Sequence, residues 1–343
     1  MKPRPTSNPR QRFQLLETAY DERQAPPSRV ELIDDDSRTI LAHNDSPDVG
    51  YSWSVNPYRG CVHACAYCYA RPTHEYLGFG AGTDFDTKIL VKRRAPELLR
   101  AAFEKPSWKG ELVAFSGVTD CYQPIEAKLE LTRACLKVCA EYRQPVSVVT
   151  KAPLIERDLD LLVELSRSAH VHVFVTVPFI DATCARALEP FVANPERRLE
   201  TVARLVSAGI PVGVNVAPII PGLNDEQVAK VLEAARGAGA TSAGYVLLRL
   251  PGAVREVFEE RLRRAFPDRA ERVLHRVRET RGGALYDSRW GVRKRGTGLY
   301  AEQIHALFET AARRLGLNAG FGSAGAATTF RRPSKLGRQM TLL

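Results

Sequence analysis

The stretch Asn56-Pro-Tyr-Arg-Gly-Cys61-Val-His-Ala-Cys65-Ala-Tyr-Cys68-Tyr69-Ala70 decides the reading of this 343-residue chain. Three of the chain's seven cysteines crowd into it. Thiolates separated by three and then two residues can converge on one metal centre from a single loop. A four-iron cubane held by three of them keeps one iron without a protein ligand, open to a cofactor or substrate. Gly60 gives the backbone room to approach, and Tyr67 and Tyr69 add aromatic cover. The competing reading is a zinc site completed by His63 or His74. Zinc usually draws on paired CxxC or CxxC…HxxxH groups, and no second pair follows at the usual distance. An odd cysteine count with this crowding fits metal in a reducing compartment better than a disulfide framework.

Downstream of the cysteines, short β-branched runs alternate with amphipathic helical stretches. Strands are expected at 112–116, 146–150, 171–177, 212–217 and 243–250, with one more just before Cys61. Helical patterns lie between them at 125–142, 159–168, 195–207 and 225–237. Such alternation implies right-handed βαβ units and a parallel sheet. About six units suit an α/β fold built as a partial (β/α)6 barrel. Each expected strand closes in polar or backbone-flexible residues, among them Ser116-Gly117, Thr150-Lys151, Thr176, Pro221-Gly222 and Arg249. In parallel α/β architectures the ligand sits at the carboxyl ends of the strands, so chemistry should gather there.

Three segments follow from composition: an irregular extension over 1–50, a core over 51–252, and a basic, mainly helical region over 253–343. The formal charge is +10, and with 19 Lys or Arg against nine Asp or Glu the last segment carries all of it. A neutral body with a basic end is shared by nucleic-acid binders, although Arg-rich helices with many glutamates also read as solvated faces. Arg289, Arg293, Lys294 and Arg295, beside Trp290 in a Gly-flanked loop, are the exposed candidates for phosphate contact. The Gly/Ala/Ser-rich end of the chain reads as disordered. No run approaches the roughly 18–20 apolar residues of a membrane span, and the N-terminus lacks the apolar stretch of a secretory signal. A cytoplasmic address is expected.

The cysteine motif opening a run of βα units resembles the radical S-adenosylmethionine superfamily and, within it, spore photoproduct lyase and its bacterial relatives. The segments NPYRGCVHACAYCYAR, FSGVTDCYQPIE, VVTKAP, NPERRLETVARLVSAGIPVGVNVAPIIPG and YVLLRLP carry the likeness. It implies a [4Fe–4S] cluster on Cys61, Cys65 and Cys68, S-adenosylmethionine as cofactor, and an electron donor such as flavodoxin or ferredoxin. The family's common Gly-Gly-Glu is absent, so its contact to the cofactor amino group would fall to Ser116, Gly117, Thr119 and the nearby backbone. The likeness also implies Lys151 and Arg198 at the cofactor carboxylate, Thr176 at ribose, and the segment from Asn215 to Gly222 along adenine. Cys121, expected on the catalytic face, would be a hydrogen-atom donor, whereas Cys135 and Cys139 read as core. The substrate stays open, with nucleic acid one candidate. The rival reading is a non-enzymatic protein whose metal or cluster knot organises a basic nucleic-acid-binding surface.

Overall fold

The computed structural model describes residues 8–9, 29–317 and 328–333. Most of the N-terminal 28 residues and most of the Gly/Ala/Ser-rich end lie outside them. Ten strands form two sheets. They are β1 (Glu31–Asp34), β2 (Leu41–His43), β3 (Trp53–Val55), β4 (Tyr58–Arg59) and β5 (Lys88–Val91), then β6 (Val113–Phe115), β7 (Val146–Thr150), β8 (Val171–Thr176), β9 (Val212–Ile219) and β10 (Ser242–Leu247).

The large sheet runs β10-β9-β8-β7-β6-β3-β2. Every pair from β3 to β10 is parallel, and only β2 pairs antiparallel, on β3. Six parallel strands joined by helices make the partial barrel that the sequence alternation predicts. The inner strands are Val-rich and almost wholly buried, as sheets covered on both faces require. Gly213 in β9 makes room for side chains of both neighbouring strands, since a Cβ there would sit 2.4 Å from Phe174 Cε1 and 2.5 Å from Ser242 Oγ.

Among the described residues, Asp181 and Asn194 cap their helices with side-chain hydrogen bonds. Asn194 accepts from Arg197 N at 2.8 Å and Pro195 opens the helix Pro195–Ser207, the residue pair that N-terminal backbone geometry favours. The single helix expected over 125–142 is instead two, Glu126–Leu129 and Leu131–Glu141, broken at Glu130 with φ 51°. The cause is Glu126. Its buried carboxylate accepts from Thr132 N at 3.1 Å and Arg133 N at 3.2 Å, capping the second helix from inside the first. Arg157 donates to that carboxylate at 2.8 Å and neutralises it.

The composition boundaries at 50 and 252 are not seams in the packing. β1 and β2 belong to the two sheets, and the helix Leu299–Arg314 sends Ala301, Ile304 and Phe308 into the main core. Residues 328–333 return to the same body, where Phe330 stacks on Tyr142 and Arg332 donates to the carbonyls of Phe103, Lys105 and Trp108. The apolar pieces at 30–33 and 39–42, which allow one hairpin, instead enter different sheets, and the small sheet β1-β5-β4 braces the segment that leads into Cys61. Among the described residues no helix is long and apolar enough to cross a membrane.

Overpacking a filled core costs about 1–3 kcal/mol. Gly213→Ala should therefore lower the unfolding free energy by that amount in urea titration. An unchanged midpoint would show that β8 and β10 yield at this point.

Candidate active site at the carboxyl ends of the strands

Because β3 and β6 to β10 run the same way, their carboxyl ends share one face, and the cysteine loop after β4 lies across it. The loop is held by backbone capture. Arg71 is 0% exposed, and all five of its N–H groups are spoken for. Nε and Nη2 donate to Cys65 O at 3.0 and 2.9 Å, Nη1 to Ala81 O and Gly82 O at 2.9 and 3.0 Å, and Nη2 also to Asp86 at 2.8 Å. Gln123 receives Val62 N at 2.9 Å and donates to Gly60 O at 3.1 Å. Cys61 N bonds Phe85 O and Ala66 N bonds Leu188 O, each at 2.9 Å. Gly60 stands at φ +82°, and a Cβ there would come within 2.9 Å of His74 Cε1, so only glycine serves this turn.

Cys61 and Cys65 are buried and Cys68 partly so. Burial raises all three thiols above their ordinary pKa, Cys65 to about 12, and the Cys61 sulfur also feels Asp120 and the other two cysteines. Neither histidine of the zinc reading is set to join them. His74 Nε2 lies 2.9 Å from Lys88 O with the ring edge-on to Phe85, and His63 Nδ1 lies 3.5 Å from Asp120. Among the described residues no three His, Cys, Asp or Glu side chains could share a single metal ion. A cubane makes a different demand, one iron for each thiolate, and the donor set here is three thiols from one loop.

Asp120 is the hinge of the surrounding strand ends. It accepts from Thr150 Oγ1 and Lys151 N at 2.7 Å and from Tyr122 N at 2.9 Å, tying the loop after β6 to the end of β7. Ser116, at φ 94°, donates to Val149 O at 2.6 Å and receives Cys121 N at 3.3 Å, so its hydroxyl shapes the loop from within. Gly117, at φ +122°, accepts from the Tyr69 hydroxyl. Thr119 is buried, yet its Oγ1 has no hydrogen-bond partner. Lys151 is half-buried and has no carboxylate within ion-pair distance among the described residues, its Nζ lying 5.9 Å from the Tyr67 ring. Burial alone would depress its ammonium, but Cys65 and Glu189 outweigh this and raise it.

Arg198 is not the surface charge its helix position suggests. It is 1% exposed, paired with Glu189, and donates to Ala193 O at 2.7 Å and Thr176 O at 3.1 Å. Glu189 also accepts from the Tyr67 hydroxyl. In this structure the guanidinium faces the Glu189 carboxylate, which also holds Tyr67 beside Cys68. Thr176 and Asn215 lie opposite each other at the ends of β8 and β9.

Cys121 is 0% exposed within the main core, its backbone N–H donating to Ser116 Oγ at 3.3 Å, and burial and then Asp120 raise its thiol. Cys135 and Cys139 are fully buried in the same core.

The basic loop departs further. Arg293 pairs with Asp48 and donates to Ser46, Lys294 donates to Asp48 O, and Gly291 N bonds Asp48 at 2.7 Å. Arg289 is exposed but paired with Asp287 at 2.6 Å. Arg293 and Lys294 thus pin the turn at 46–49, while Arg295 is exposed. Trp290 is exposed, at 57%.

Motif reading missed Arg71 and Glu189, and placed Arg249 at a strand end without a role. Arg71 follows the last cysteine closely, but its partners at 81–86 are visible only once the chain has turned back. A cavity of about 310 Å³ also opens at the opposite, amino ends of the strands, lined by residues including Leu112, Ser147, His170 and His172. It is remote from the cysteines and belongs to the base of the barrel.

Lysine keeps the charge of Arg71 but not its fork, and each buried carbonyl left without a donor costs about 1–3 kcal/mol. Arg71→Lys should destabilise the apo protein by at least about 3 kcal/mol and lower iron retention. Stability and iron content both equal to wild type would contradict the role given to Arg71.

Comparison with known proteins agrees with this geometry. The family model for the radical SAM superfamily matches residues 55–235. An uncharacterized protein of Mycobacterium tuberculosis is 39% identical over 224 residues, 65% of this chain and 66% of that protein. One of Methanocaldococcus jannaschii is 31% identical over 198 residues, 58% of this chain and 71% of its own length. The chain therefore spans just under two thirds of the mycobacterial relative. Among solved structures, a variant of spore photoproduct lyase superposes with a TM-score of 0.60 at 15% identity, covering 83% of this chain and 80% of that one. The lyase complexed with dinucleoside spore photoproduct gives 0.54 at 16%, covering 83% and 78%. A further variant of that lyase, with bound AdoMet and the dinucleoside, gives 0.52 at 16%, covering 83% and 77%. By its family match, its cysteine loop and its partial barrel of parallel strands, this chain belongs to the radical S-adenosylmethionine superfamily.

Proposed function

We propose that Cys61, Cys65 and Cys68 hold a [4Fe–4S] cluster and that the enzyme uses it to cleave S-adenosylmethionine reductively. The observation that carries this reading is the loop itself, with three thiols and, among the described residues, no fourth ligand beside them. When held by these cysteines, the cluster would supply the electron for reductive cleavage of the cofactor's carbon–sulfur bond to methionine and a 5′-deoxyadenosyl radical. The chain's own residues bind and orient. Lys151, charged and without a carboxylate partner, meets the cofactor carboxylate. The Thr119 hydroxyl, buried and unsatisfied, receives a cofactor donor together with the backbone of Ser116 and Gly117. Thr176 faces ribose, and Asn215 with the backbone to Gly222 lies along adenine. Arg198 acts through Glu189 and Tyr67, and the closed strand ends keep water from the radical.

A low-potential donor such as flavodoxin or ferredoxin supplies the electron, and a cluster of this kind suits the reducing cytoplasm. Likeness to a lyase whose solved complex holds a dinucleoside keeps nucleic acid among the substrate classes. The basic loop gives that idea no support, because Arg293 and Lys294 are engaged within the protein. The non-enzymatic alternative predicts a metal or cluster without turnover.

Anaerobically prepared protein with reductant and S-adenosylmethionine should yield 5′-deoxyadenosine, read by chromatography. Its absence from cluster-loaded protein would favour the non-enzymatic reading. Cys61→Ala, Cys65→Ala and Cys68→Ala should each lose nearly all iron, while Cys135→Ala and Cys139→Ala keep it. Wild-type iron content in the first three would remove the assignment. A charge-assisted contact is worth about 1.5–3 kcal/mol. Lys151→Ala should thus weaken cofactor binding about ten- to a hundredfold with iron unchanged, and equal affinity in titration would free Lys151 of this role.

A further inference from the structure

One strong donor on the strand-end face has no task in the reading above. After Leu247 the chain runs Leu248-Arg249-Leu250, with both leucines buried in the apolar cluster that includes Cys65 and Tyr67. Arg249 between them is half-buried and lies against the Tyr69 ring, its Cζ 5.0 Å from the ring centroid. Tyr69 is itself fixed through its hydroxyl to Gly117 O and follows Cys68 directly. The plane of the guanidinium is therefore held beside the cysteine loop.

That guanidinium is short of partners. Its Nε is shut off from solvent with no hydrogen bond, and no carboxylate lies within 4.0 Å of it among the described residues. The charges nearby have its own sign. Arg281 and Lys294 both feel Arg249, and the acids of this region are engaged elsewhere, Asp48 by Arg293 and Asp287 by Arg289. Burial, and then Arg249, push Lys294 down to about 8. Asp287 lies near Arg281 and Asp48 near Lys294, but among the described residues no acid pairs with Arg249, and an anion there relieves the repulsion among the three.

We propose that Arg249, lying against Tyr69, receives an oxyanion of the substrate, a phosphate or a carboxylate, beside the cysteine loop. The proposal rests on the strand-end face being the active site. A guanidinium presents two parallel N–H groups to such an anion, and contact with an aromatic face keeps the fork oriented. The cofactor carboxylate is not the anion meant here, because Lys151 stands for it at the end of β7, three strands from β10 in the sheet.

The test uses cluster-loaded, full-length protein saturated with S-adenosylmethionine and titrated anaerobically with inorganic phosphate and with acetate. Calorimetry should show saturable binding of at least one, and the tighter of the two names the group. Arg249→Gln should weaken that binding at least tenfold, and Arg249→Lys should restore part of it. Iron content and cofactor affinity should match wild type in both variants. Binding undiminished in Arg249→Gln, or no saturable binding of either anion by wild type, overturns the proposal. A fall in cofactor affinity in Arg249→Gln overturns it too, by assigning the arginine to the cofactor. Failure of the wild type to hold iron or bind cofactor would instead overturn the functional reading beneath it, and those readouts are separate from the anion titration.

Discussion

The structure depends on one buried guanidinium. Three thiolates can serve a cluster only if a short, irregular loop is held to a single shape, and irregular backbone has no ladder of its own to hold it. Arg71 supplies the missing order. Its five N–H groups fix Cys65 O from one side and the 81–86 turn from the other, with Asp86 balancing the charge. Removing such a donor leaves several buried carbonyls unsatisfied at once, which is why the loop has effectively two states, held or lost. Gln123 and the small sheet close the remaining sides.

Charge on the strand-end face is divided into committed and uncommitted groups, and the division carries the functional argument. Asp120, Glu189 and Arg198 are fully engaged, and they set the heights of Lys151 and Tyr67 over the loop. Among the described residues, Thr119 Oγ1 and Arg249 Nε are buried there without a hydrogen-bond partner, and the Lys151 ammonium has no carboxylate within ion-pair distance. Buried polar groups are rarely left so. Those at a site made for ligands are satisfied when the ligand arrives.

The barrel was legible because strand and helix periods alternate so regularly after Cys61. β7 runs over the same residues as its Val-rich pattern, 146–150. The small sheet was not legible, since β1 and β5 are 54 residues apart in sequence and β4 is only two residues long. The break at Glu130 was hidden for a related reason: a carboxylate four residues upstream reaches forward to cap the second helix. The cysteine loop could be picked out from spacing alone, because its three thiols are local in sequence. The burial of Arg198 and Cys121 could not. Whether an arginine on a helix is exposed depends on Glu189 beneath it, and Cys121 is covered by core residues distant in sequence. The basic loop misled for the same reason, its charges being answered by Asp48, some 245 residues away.

The central claim is that three cysteines leave one iron open and that S-adenosylmethionine takes it. Electron paramagnetic resonance of the reduced, cluster-loaded protein, recorded with and without S-adenosylmethionine, tests this directly. The account predicts a [4Fe–4S]⁺ signal whose g-values shift when the cofactor is added, because a ligand has joined the cluster. A signal unmoved by saturating cofactor would contradict it, as would the absence of any four-iron signal in protein that retains all three cysteines.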